Sequence, residues 1–351
     1  MRTRWLVMAS IGVLAAAAGV AHFADAPVML AFLLATAALA GLAWIVSFAT
    51  EQVGERLGPA ATGVLQSTLG NLPEFFIVVF ALSAGEVVVA QTSIIGSIFA
   101  NALLVLGLAI IGGSRHSDDG IMRFHARLPK DNAILMLLAS FLIVIVGIAV
   151  ATKDPASGHI KAISIAGAVA LLITYGAWLV DYLRTPAAAS EEPPSQHPPL
   201  VSVRVALVLL AISGVGAAFV SDWFITALTP AMDQIGVSKA FAGLVIVAIA
   251  GNAVENTAGV TLAMKGEADL AISVVKNSVA QITAFLFPAL VLVSLLFATP
   301  LTFALAPVYV GALALTAIAL WQITSDGEAT LFEGVALVAF YAILAVVAFY
   351  E

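Results

Sequence analysis

The sequence contains no cysteine, which excludes disulfide bonds, thiolate metal sites and cysteine nucleophiles. Histidine is scarce, and all five histidines fall in loops or at the ends of hydrophobic segments: His22, His116, His125, His159 and His197. A zinc cluster or a serine–histidine pair inside a hydrophobic segment is therefore not available. We predict that the chain is not an enzyme and holds no cofactor.

Charged residues are scarce as well. They make up 10% of the 351 residues, whereas 62% are hydrophobic, and an ordinary soluble domain is roughly 25% charged. Because such a chain cannot hide its apolar surface from water, it is predicted to be a polytopic protein of a lipid bilayer. The net charge is −7, with basic residues in short loops rather than one block, so nucleic acid is not an expected partner. Nothing in the composition sets the oligomeric state.

Eleven apolar segments lie between loop signals, and their length and unbroken hydrophobicity predict helices. They cover about 5–23, 28–50, 57–84, 87–112, 132–152, 160–184, 202–226, 238–264, 268–297, 301–323 and 330–350. The predicted fold class is an all-α polytopic membrane protein with 11 transmembrane helices. The first segment, which follows Arg2 and Arg4, could also be a cleavable signal peptide, but it is close to the ~20 residues that span a bilayer.

Lysine and arginine in the connecting loops indicate the orientation. With the N-terminus inside, the cytoplasmic loops contain Arg2, Arg4, Arg56, Arg115, Arg123, Arg127, Lys130, Arg184, Arg204 and Lys265. Only Lys153, Lys161 and Lys239 then fall outside. We therefore predict a cytoplasmic N-terminus and an external C-terminus. From the compactness of the chain we expect a bacterial inner membrane.

A short polar motif interrupts two of the segments. Gly70–Glu74 reads Gly-Asn-Leu-Pro-Glu and Gly251–Glu255 reads Gly-Asn-Ala-Val-Glu, so glycine, asparagine and glutamate recur at the same spacing 181 residues apart. The match continues in 84–86 and 265–267, which read Ala-Gly-Glu and Lys-Gly-Glu. The chain therefore contains an internal repeat.

A polar, proline-rich stretch at 185–201 has the composition of an extended cytoplasmic linker and divides the chain. Apart from an N-terminal transmembrane helix at 1–27, the halves 28–184 and 202–351 each hold five segments. An odd number makes the second half enter the membrane with the opposite polarity, so the repeat is predicted to be inverted. Interrupted segments at corresponding positions of inverted repeats are typical of a transporter with its site near the membrane midplane.

The two motifs carry carboxylates, Glu74 and Glu255, deep inside their segments. A carboxylate at a helix centre costs about 2.5 to 3.5 kcal/mol even on the lenient insertion scale. One such glutamate could be a protonated side chain hydrogen-bonded across helices. Two at equivalent positions with the same glycine and asparagine neighbours favour a binding site.

The spacing i, i+1, i+4 sets each glycine, asparagine and glutamate on one helix face. This predicts two matching sets of candidate ligands: Gly70, Asn71 and Glu74, and Gly251, Asn252 and Glu255. Pro73 has no N–H, so the carbonyl four residues earlier loses its helical hydrogen-bond donor. In the second half Val254 takes the place of proline, so a break in that helix would depend on its glycine. Carboxylate and carbonyl oxygens suit Ca²⁺, which takes ~6 to 8 oxygen ligands.

The segments after each motif carry polar stripes at every fourth residue: Ser93, Ser97 and Asn101, and Ser273, Asn277 and Gln281. Such residues also bind membrane helices together, which is the favoured reading for Ser93 and Ser273. Ser97, Asn101 and Gln281 are further candidate ligands. Lys276 has no assigned role; it could snorkel, be neutral through desolvation, or pair with a carboxylate when no metal is bound.

These motifs resemble the cation/proton exchangers, the Ca²⁺/H⁺ antiporter branch of the Ca²⁺:cation antiporter superfamily. The first motif with Gly96–Asn101 (Gly-Ser-Ile-Phe-Ala-Asn) is similar to the first repeat of that family, and the second with Ser278–Gln281 (Ser-Val-Ala-Gln) to the second repeat. The resemblance implies an N-terminal helix plus two inverted five-helix repeats, and Ca²⁺ held between Glu74 and Glu255. It also implies two mobile helices, at about 28–50 and 202–226, that slide to alternate access.

The chain departs from the family pattern at two places. Asn256 stands where the family usually has histidine, and Lys276-Asn277-Ser278 stands where it usually has Gly-Ser. The first removes a group that could titrate near neutral pH, and the second adds a positive charge near the site. Both changes bear on the choice of cation and on proton coupling.

Two facing carboxylates cannot both ionise cheaply without a cation. The site is then neutral either with Ca²⁺ or with two protons, which predicts a secondary active antiporter that exchanges Ca²⁺ for about two H⁺. The alternative is a Na⁺ or K⁺/H⁺ exchanger of the same fold, because Lys276 could supply positive charge. A passive channel would need no counter-ion.

Overall fold

The computed structural model of the chain describes residues 2–54, 69–125, 127–184 and 200–351, and almost all of them are helical. The helices in chain order are α1 (Arg2–Phe23), α2 (Val28–Gly54), α3 (Leu72–Ser83), α4 (Val87–His116), α5 (Arg127–Thr152), α6 (Ile160–Arg184), α7 (Val203–Ile235), α8 (Lys239–Gly251), α9 (Ala253–Met264), α10 (Ala268–Leu296), α11 (Pro307–Thr324) and α12 (Leu331–Phe349). A 3-10 turn at Pro155–His159 precedes α6.

Nine helices among the described residues are long and apolar enough to cross a membrane: α1, α2, α4, α5, α6, α7, α10, α11 and α12. They match nine of the predicted segments and confirm the all-helical membrane class. The segments predicted at 57–84 and 238–264 appear as shorter helices, α3 and the pair α8 and α9. Residues 55–68 and the linker at 185–199 lie outside the described part of the chain, so the total of eleven spans stays a prediction.

Three helices begin or end away from the predicted bounds. Helix α11 begins at Pro307 rather than at 301, since proline at a first helical position has no N–H to leave unpaired. Helix α5 begins at Arg127 rather than at 132. Helix α7 continues past 226 to Ile235 and stops at Gly236, whose φ of 69° is the left-handed conformation that glycine adopts most readily.

The internal repeat is visible in the backbone. Helices α3 and α9 have 12 residues each, and each begins and ends 181 residues from its counterpart. The turns that follow have the same shape, because Gly85 and Gly266 have φ of 78° and 81°. Glu86 and Glu267 then begin α4 and α10 with φ/ψ of −83°/61° and −87°/62°.

The first long helices of the two halves, α2 and α7, pack antiparallel. Phe32 stacks on Phe224 with ring centroids 5.5 Å apart. Ten residues further along α2, about three turns, Leu42 lies against Gly216, where a Cβ atom would be 3.3 Å from Leu42 Cδ2. Residue numbers therefore rise along α2 while they fall along α7. Equivalent helices that run in opposite directions are the signature of an inverted repeat.

Helices α4 and α10, which follow the repeated turns, are the most buried spans. Helix α4 contacts α3, α8, α9 and α12, while α10 contacts α5, α6 and α9. Phe99 and Phe287 are fully buried in these two helices. Helices α1, α2 and α7 pack together, and α7 also contacts α3. The repeated motifs thus lie where the two halves meet.

A short antiparallel strand pair, which the sequence did not predict, joins two loops outside the helices. Strand β1 (Ile121–Arg123) follows α4 and pairs with β2 (Glu328–Thr330), which precedes α12. Arg123 bonds the carboxylates of Asp119 at 2.7 Å and Glu328 at 3.2 Å. The hydrogen bond from Arg123 lowers the pKa of Asp119 below its usual 3.8, and Asp119 in turn raises the pKa of Arg123.

Candidate functional site

Both repeated motifs break a helix, and both break it at asparagine. Leu69 and Gly70 are helical, Asn71 lies in a turn, and α3 starts at the next residue. In the second half Asn252 separates α8 from α9 with φ/ψ of −105°/14°. The amide nitrogen of Asn252 donates to the carbonyl of Ala248 at 2.9 Å. A side chain that bonds a nearby carbonyl offers the backbone an alternative to the helix, so the second break needs no proline.

Each break places a glutamate at the third position of a new helix. Glu74 lies in the first turn of α3, and both of its carboxylate oxygens are buried. The N-terminus of a helix carries partial positive charge, which favours a carboxylate there. Glu255 holds the same position in α9, but its side chain lies outside the described residues, as do the side chains of 253–256.

The two halves meet at these breaks. A Cβ atom built on Gly251 would lie 3.9 Å from Cβ of Glu74, so the glycine of the second motif borders the glutamate of the first. Asn252 Nδ2 donates to Ser97 Oγ of α4 at 2.8 Å, which joins the second motif to the polar stripe of the first half. Because the nitrogen makes both of its hydrogen bonds, Oδ1 is the atom of Asn252 able to bind a cation.

Asn101 supplies a buried oxygen in the same helix as Ser97. Its amide nitrogen donates to the main-chain carbonyl of Ser97 at 2.9 Å. Its Oδ1 is buried and has no hydrogen-bond partner in the described part of the chain. A buried polar atom left unsatisfied costs about 1 to 3 kcal/mol. A cation bound by this oxygen would remove that cost.

Three π-helical segments accompany the site residues, and nothing in the sequence predicted them. One (Ala100–Val105) contains Asn101, and its counterpart (Ile282–Leu286) begins just after Gln281, which is buried. The third (Ala242–Val247) lies in α8 before the second motif. Single-turn π segments widen a helix locally and occur frequently at functional sites.

Two glycines that the sequence analysis did not connect let α4 and α8 touch through their backbones. A Cβ atom on Gly96 would lie 2.4 Å from the carbonyl oxygen of Leu244. One on Gly243 would lie 2.0 Å from Thr92 Oγ1. These contacts bring Ser97 within reach of Asn252. Sequence spacing could not reveal them, because the partners are about 150 residues apart.

Lys276 is buried and turns toward α11. Its Nζ donates to Thr324 Oγ1 at 2.5 Å. Beside it lies a small cavity whose other lining side chains are all apolar: Ala102, Leu106, Met136, Val275, Val279, Ala317 and Leu320. The amine is buried and does not snorkel, and no carboxylate among the described side chains, which do not include that of Glu255, pairs with it. Its partner is a hydroxyl.

The described residues contain no group of three or more histidine, aspartate or glutamate side chains that could hold a metal. The other buried polar side chains at the two breaks and on the adjoining part of α4 are amides and a hydroxyl, those of Asn71, Asn252, Asn101 and Ser97. Asn71 is buried and Gly70 half-buried at the first break. Hard oxygens without nitrogen or sulfur fit a calcium-type ion better than a transition metal.

Comparison with known proteins identifies relatives of the chain. The family described as sodium/calcium exchanger protein matches residues 27–181 and 205–350. The chain is 32% identical over 315 residues to the Ca(2+)/H(+) antiporter ChaA of Bacillus subtilis, covering 87% of this chain and 88% of that protein. It is 31% identical over 344 residues to a Ca(2+)/H(+) antiporter of Synechocystis, covering 91% of each.

Solved structures show the same fold. The structure of native YfkE matches with a TM-score of 0.81 and 27% identity, covering 97% of this chain and 100% of that one. The H⁺/Ca²⁺ exchanger CAX matches with a TM-score of 0.75, covering 100% of this chain and 93% of that one. At 15% identity, the second likeness concerns the fold alone.

Proposed function

Because the chain belongs to the sodium/calcium exchanger family, we propose that it is a secondary active antiporter that exchanges Ca²⁺ for H⁺ by alternating access. Relatives over nearly the whole chain that are named Ca²⁺/H⁺ antiporters support this cargo. The observation that carries the proposal is the buried Glu74 at a helix break, bordered by Gly251 of the other half. The carboxylate of Glu74 thus lies between the two repeats, where a movement of either half could expose it to solvent.

The proposed Ca²⁺ site lies between Glu74 and Glu255. Oxygens of Asn71, Asn252, Ser97, Asn101 and Gln281 would complete it, with main-chain oxygens at Gly70 and Gly251. The unsatisfied Oδ1 of Asn101 and the hydrogen bond from Asn252 to Ser97 support this set. Repeat symmetry supports Glu255, since α9 starts at the same motif position as α3.

Charge balance supplies the mechanism. With Ca²⁺ bound, two carboxylates and one divalent cation sum to zero, and two protonated acids also sum to zero. Only neutral forms cross the occluded state at low cost, since an uncompensated buried charge costs several kcal/mol. Each cycle therefore exchanges about two protons for one Ca²⁺.

A monovalent cation is the weaker candidate. That hypothesis depended on Lys276 supplying positive charge to the site, but its amine bonds Thr324 on α11. A pocket with two carboxylates, whose combined charge a divalent ion balances, suits Ca²⁺ better than a monovalent ion. If Na⁺ competes poorly against Ca²⁺ in proteoliposomes, the divalent assignment stands.

The proposed organisation follows the repeat: an N-terminal helix at 1–27, a first repeat at 28–184, a cytoplasmic linker at 185–201 and a second repeat at 202–351. Loop charge supports a cytoplasmic N-terminus, and the proposed location is a bacterial inner membrane. Since the chain has no cysteine, single cysteines can test this in intact cells. Asp25→Cys should react with an impermeant maleimide, and Asp119→Cys should not.

Purified protein in proteoliposomes tests the function. We expect an imposed pH gradient to drive Ca²⁺ uptake, and uptake indifferent to the gradient would refute proton exchange. Glu74→Gln and Glu255→Gln should each abolish transport without unfolding the protein, because a neutral amide can neither balance Ca²⁺ nor release a proton. A Gln variant that still transports would remove that residue from the site.

A further inference from the structure

Glu86, in the turn between α3 and α4, joins three elements at one end of the molecule. Lys239, the first residue of α8, donates to both carboxylate oxygens, at 2.9 Å to Oε1 and 2.6 Å to Oε2. Thr229, near the end of α7, donates its hydroxyl to Oε1 at 3.2 Å. The Glu86 side chain is only 19% exposed, and that of Lys239 is 48% exposed. A two-pronged ionic contact with a mostly buried carboxylate is stronger than a typical surface pair.

The internal repeat predicts a matching contact at the opposite end of the molecule. The residues at the equivalent positions cannot form it. The counterpart of Glu86 is Glu267, which has nearly the same backbone conformation. The counterparts of Thr229 and Lys239, 181 residues earlier, are Phe48 and Gly58. Neither can donate a side-chain hydrogen bond. Within the part of the chain that the structure describes, the Glu267 carboxylate makes no hydrogen bond or ion pair.

A different contact lies beside Glu267 and joins other elements. Asp269 accepts hydrogen bonds from the main-chain N–H of His125 at 2.6 Å and lies 3.0 Å from its Nδ1. This contact is not the counterpart of the one at Glu86. It involves His125 in the loop before α5, whereas a counterpart would involve α2, the helix equivalent to α7. Among the described residues, which leave out 55–68 at the other end, the contact among α7, α8 and the α3–α4 turn is therefore found at one end only.

This asymmetry matters for an inverted repeat. If the halves exchange conformations to convert one access state into the other, identical halves would make the two states equal in free energy. An interaction formed at one end and missing at the other shifts that equilibrium by its differential free energy.

We propose that Glu86, Lys239 and Thr229 form a one-sided ionic latch, which favours the conformation that holds the end of α7 and the start of α8 against the α3–α4 turn. The latch rests on the proposed alternating access. It deepens that proposal by assigning a set of residues to the balance between the two access states, and it predicts that external and internal access are not equally populated.

The test measures the latch directly and independently of transport. The chain has no cysteine, so Ser83→Cys and Asp233→Cys introduce the only two spin-label sites, both exposed, beside the turn and near the end of α7. Pulsed electron paramagnetic resonance then gives the distance distribution across the latch. In Lys239→Met we expect the longer-distance population to rise by about three- to ten-fold over the parent, the range of a partly buried ion pair.

Four controls make the result decisive. Glu267→Gln removes the symmetry-related carboxylate and should leave the distribution unchanged. Lys239→Arg and the charge swap of Glu86→Lys with Lys239→Glu should restore the shorter distance, while high salt should lengthen it. The latch is overturned if Lys239→Met and Glu267→Gln give the same distribution, or if the swap folds but does not restore the short distance. Failure of Ca²⁺/H⁺ exchange in the liposome assay would leave these distances unaltered.

Discussion

Lys276 shows how one buried side chain can differ from its surroundings. Its amine is buried beside apolar side chains and has a single hydroxyl partner, Thr324. Thr324 also donates to the carbonyl of Leu320 at 2.6 Å, so its own hydroxyl proton stays satisfied if the lysine is removed. Of these two groups, the amine is therefore the one whose burial is less compensated.

We therefore expect Lys276→Met to fold at least as stably as the parent, with a gain of up to about 1 to 4 kcal/mol, because a methionine fills similar space without desolvating a charge. Ca²⁺ transport should be retained. The matched variant Thr324→Val removes the partner but keeps the amine, and it should be destabilising. Thermal unfolding in detergent measures whether each substitution stabilises or destabilises the protein. A well-folded Lys276→Met protein without transport would show that the amine takes part in exchange.

At the scale of elements, the important event is the interruption of two helices at equivalent points. The first break contains Pro73 and the second has Val254 at the same place. Both new helices nevertheless start directly after asparagine, so proline is compatible with the break but does not cause it. The side-chain bond from Asn252 to Ala248 and the adjacent glycine are sufficient.

This view predicts that Val254→Pro is tolerated. Val254 is the second residue of α9, where an N–H has no acceptor within its own helix, so proline should change the free energy of unfolding by less than about 1 kcal/mol. Val260→Pro, in the middle of the same helix, should cost about 3 kcal/mol or more. Thermal unfolding and Ca²⁺ uptake measure both. Equal damage from the two prolines would mean that α9 does not begin at Ala253.

At the scale of the whole molecule, the inverted repeat places one half against the other. Helices α2 and α7 run along each other in opposite directions, and Gln52 near the end of α2 accepts from the main-chain N–H of Leu200 just before α7, at 2.6 Å. The two breaks then face each other through Glu74 and Gly251. The candidate site depends on the assembly of the halves in this way.

Cross-linking can check the antiparallel contact. Leu42→Cys with Gly216→Cys should react efficiently with a short bifunctional maleimide, since these positions are in van der Waals contact. Leu42→Cys with Phe224→Cys should not, because eight residues along α7 correspond to about 12 Å of helix. Mass spectrometry of the digested protein identifies the products. The opposite preference would contradict the antiparallel packing.

Much of the fold could be predicted from the sequence because apolar runs and repeated motifs are local properties of the chain. Most helix bounds follow the apolar runs within a few residues, and the motif at Gly70–Glu74 recurs without any need for coordinates. The start of α11 was misplaced, since hydropathy continues through 301–306 while the backbone there is not helical. The strand pair escaped notice because its two strands are three residues long and lie about 200 residues apart.

The sequence by itself indicated the membrane class, the repeat, its inversion and a pair of acids inside the membrane, of which Glu74 is buried in the structure, because composition, run length and internal comparison need no knowledge of contacts. Tertiary structure alone decided that Asn252 bonds Ser97, that Lys276 turns to Thr324, and that Glu86 is held by Lys239. The partners in each of these contacts are 48 to 155 residues apart in the chain. Only packing of the two halves brings such side chains within hydrogen-bonding distance, since no local pattern encodes which helices become neighbours.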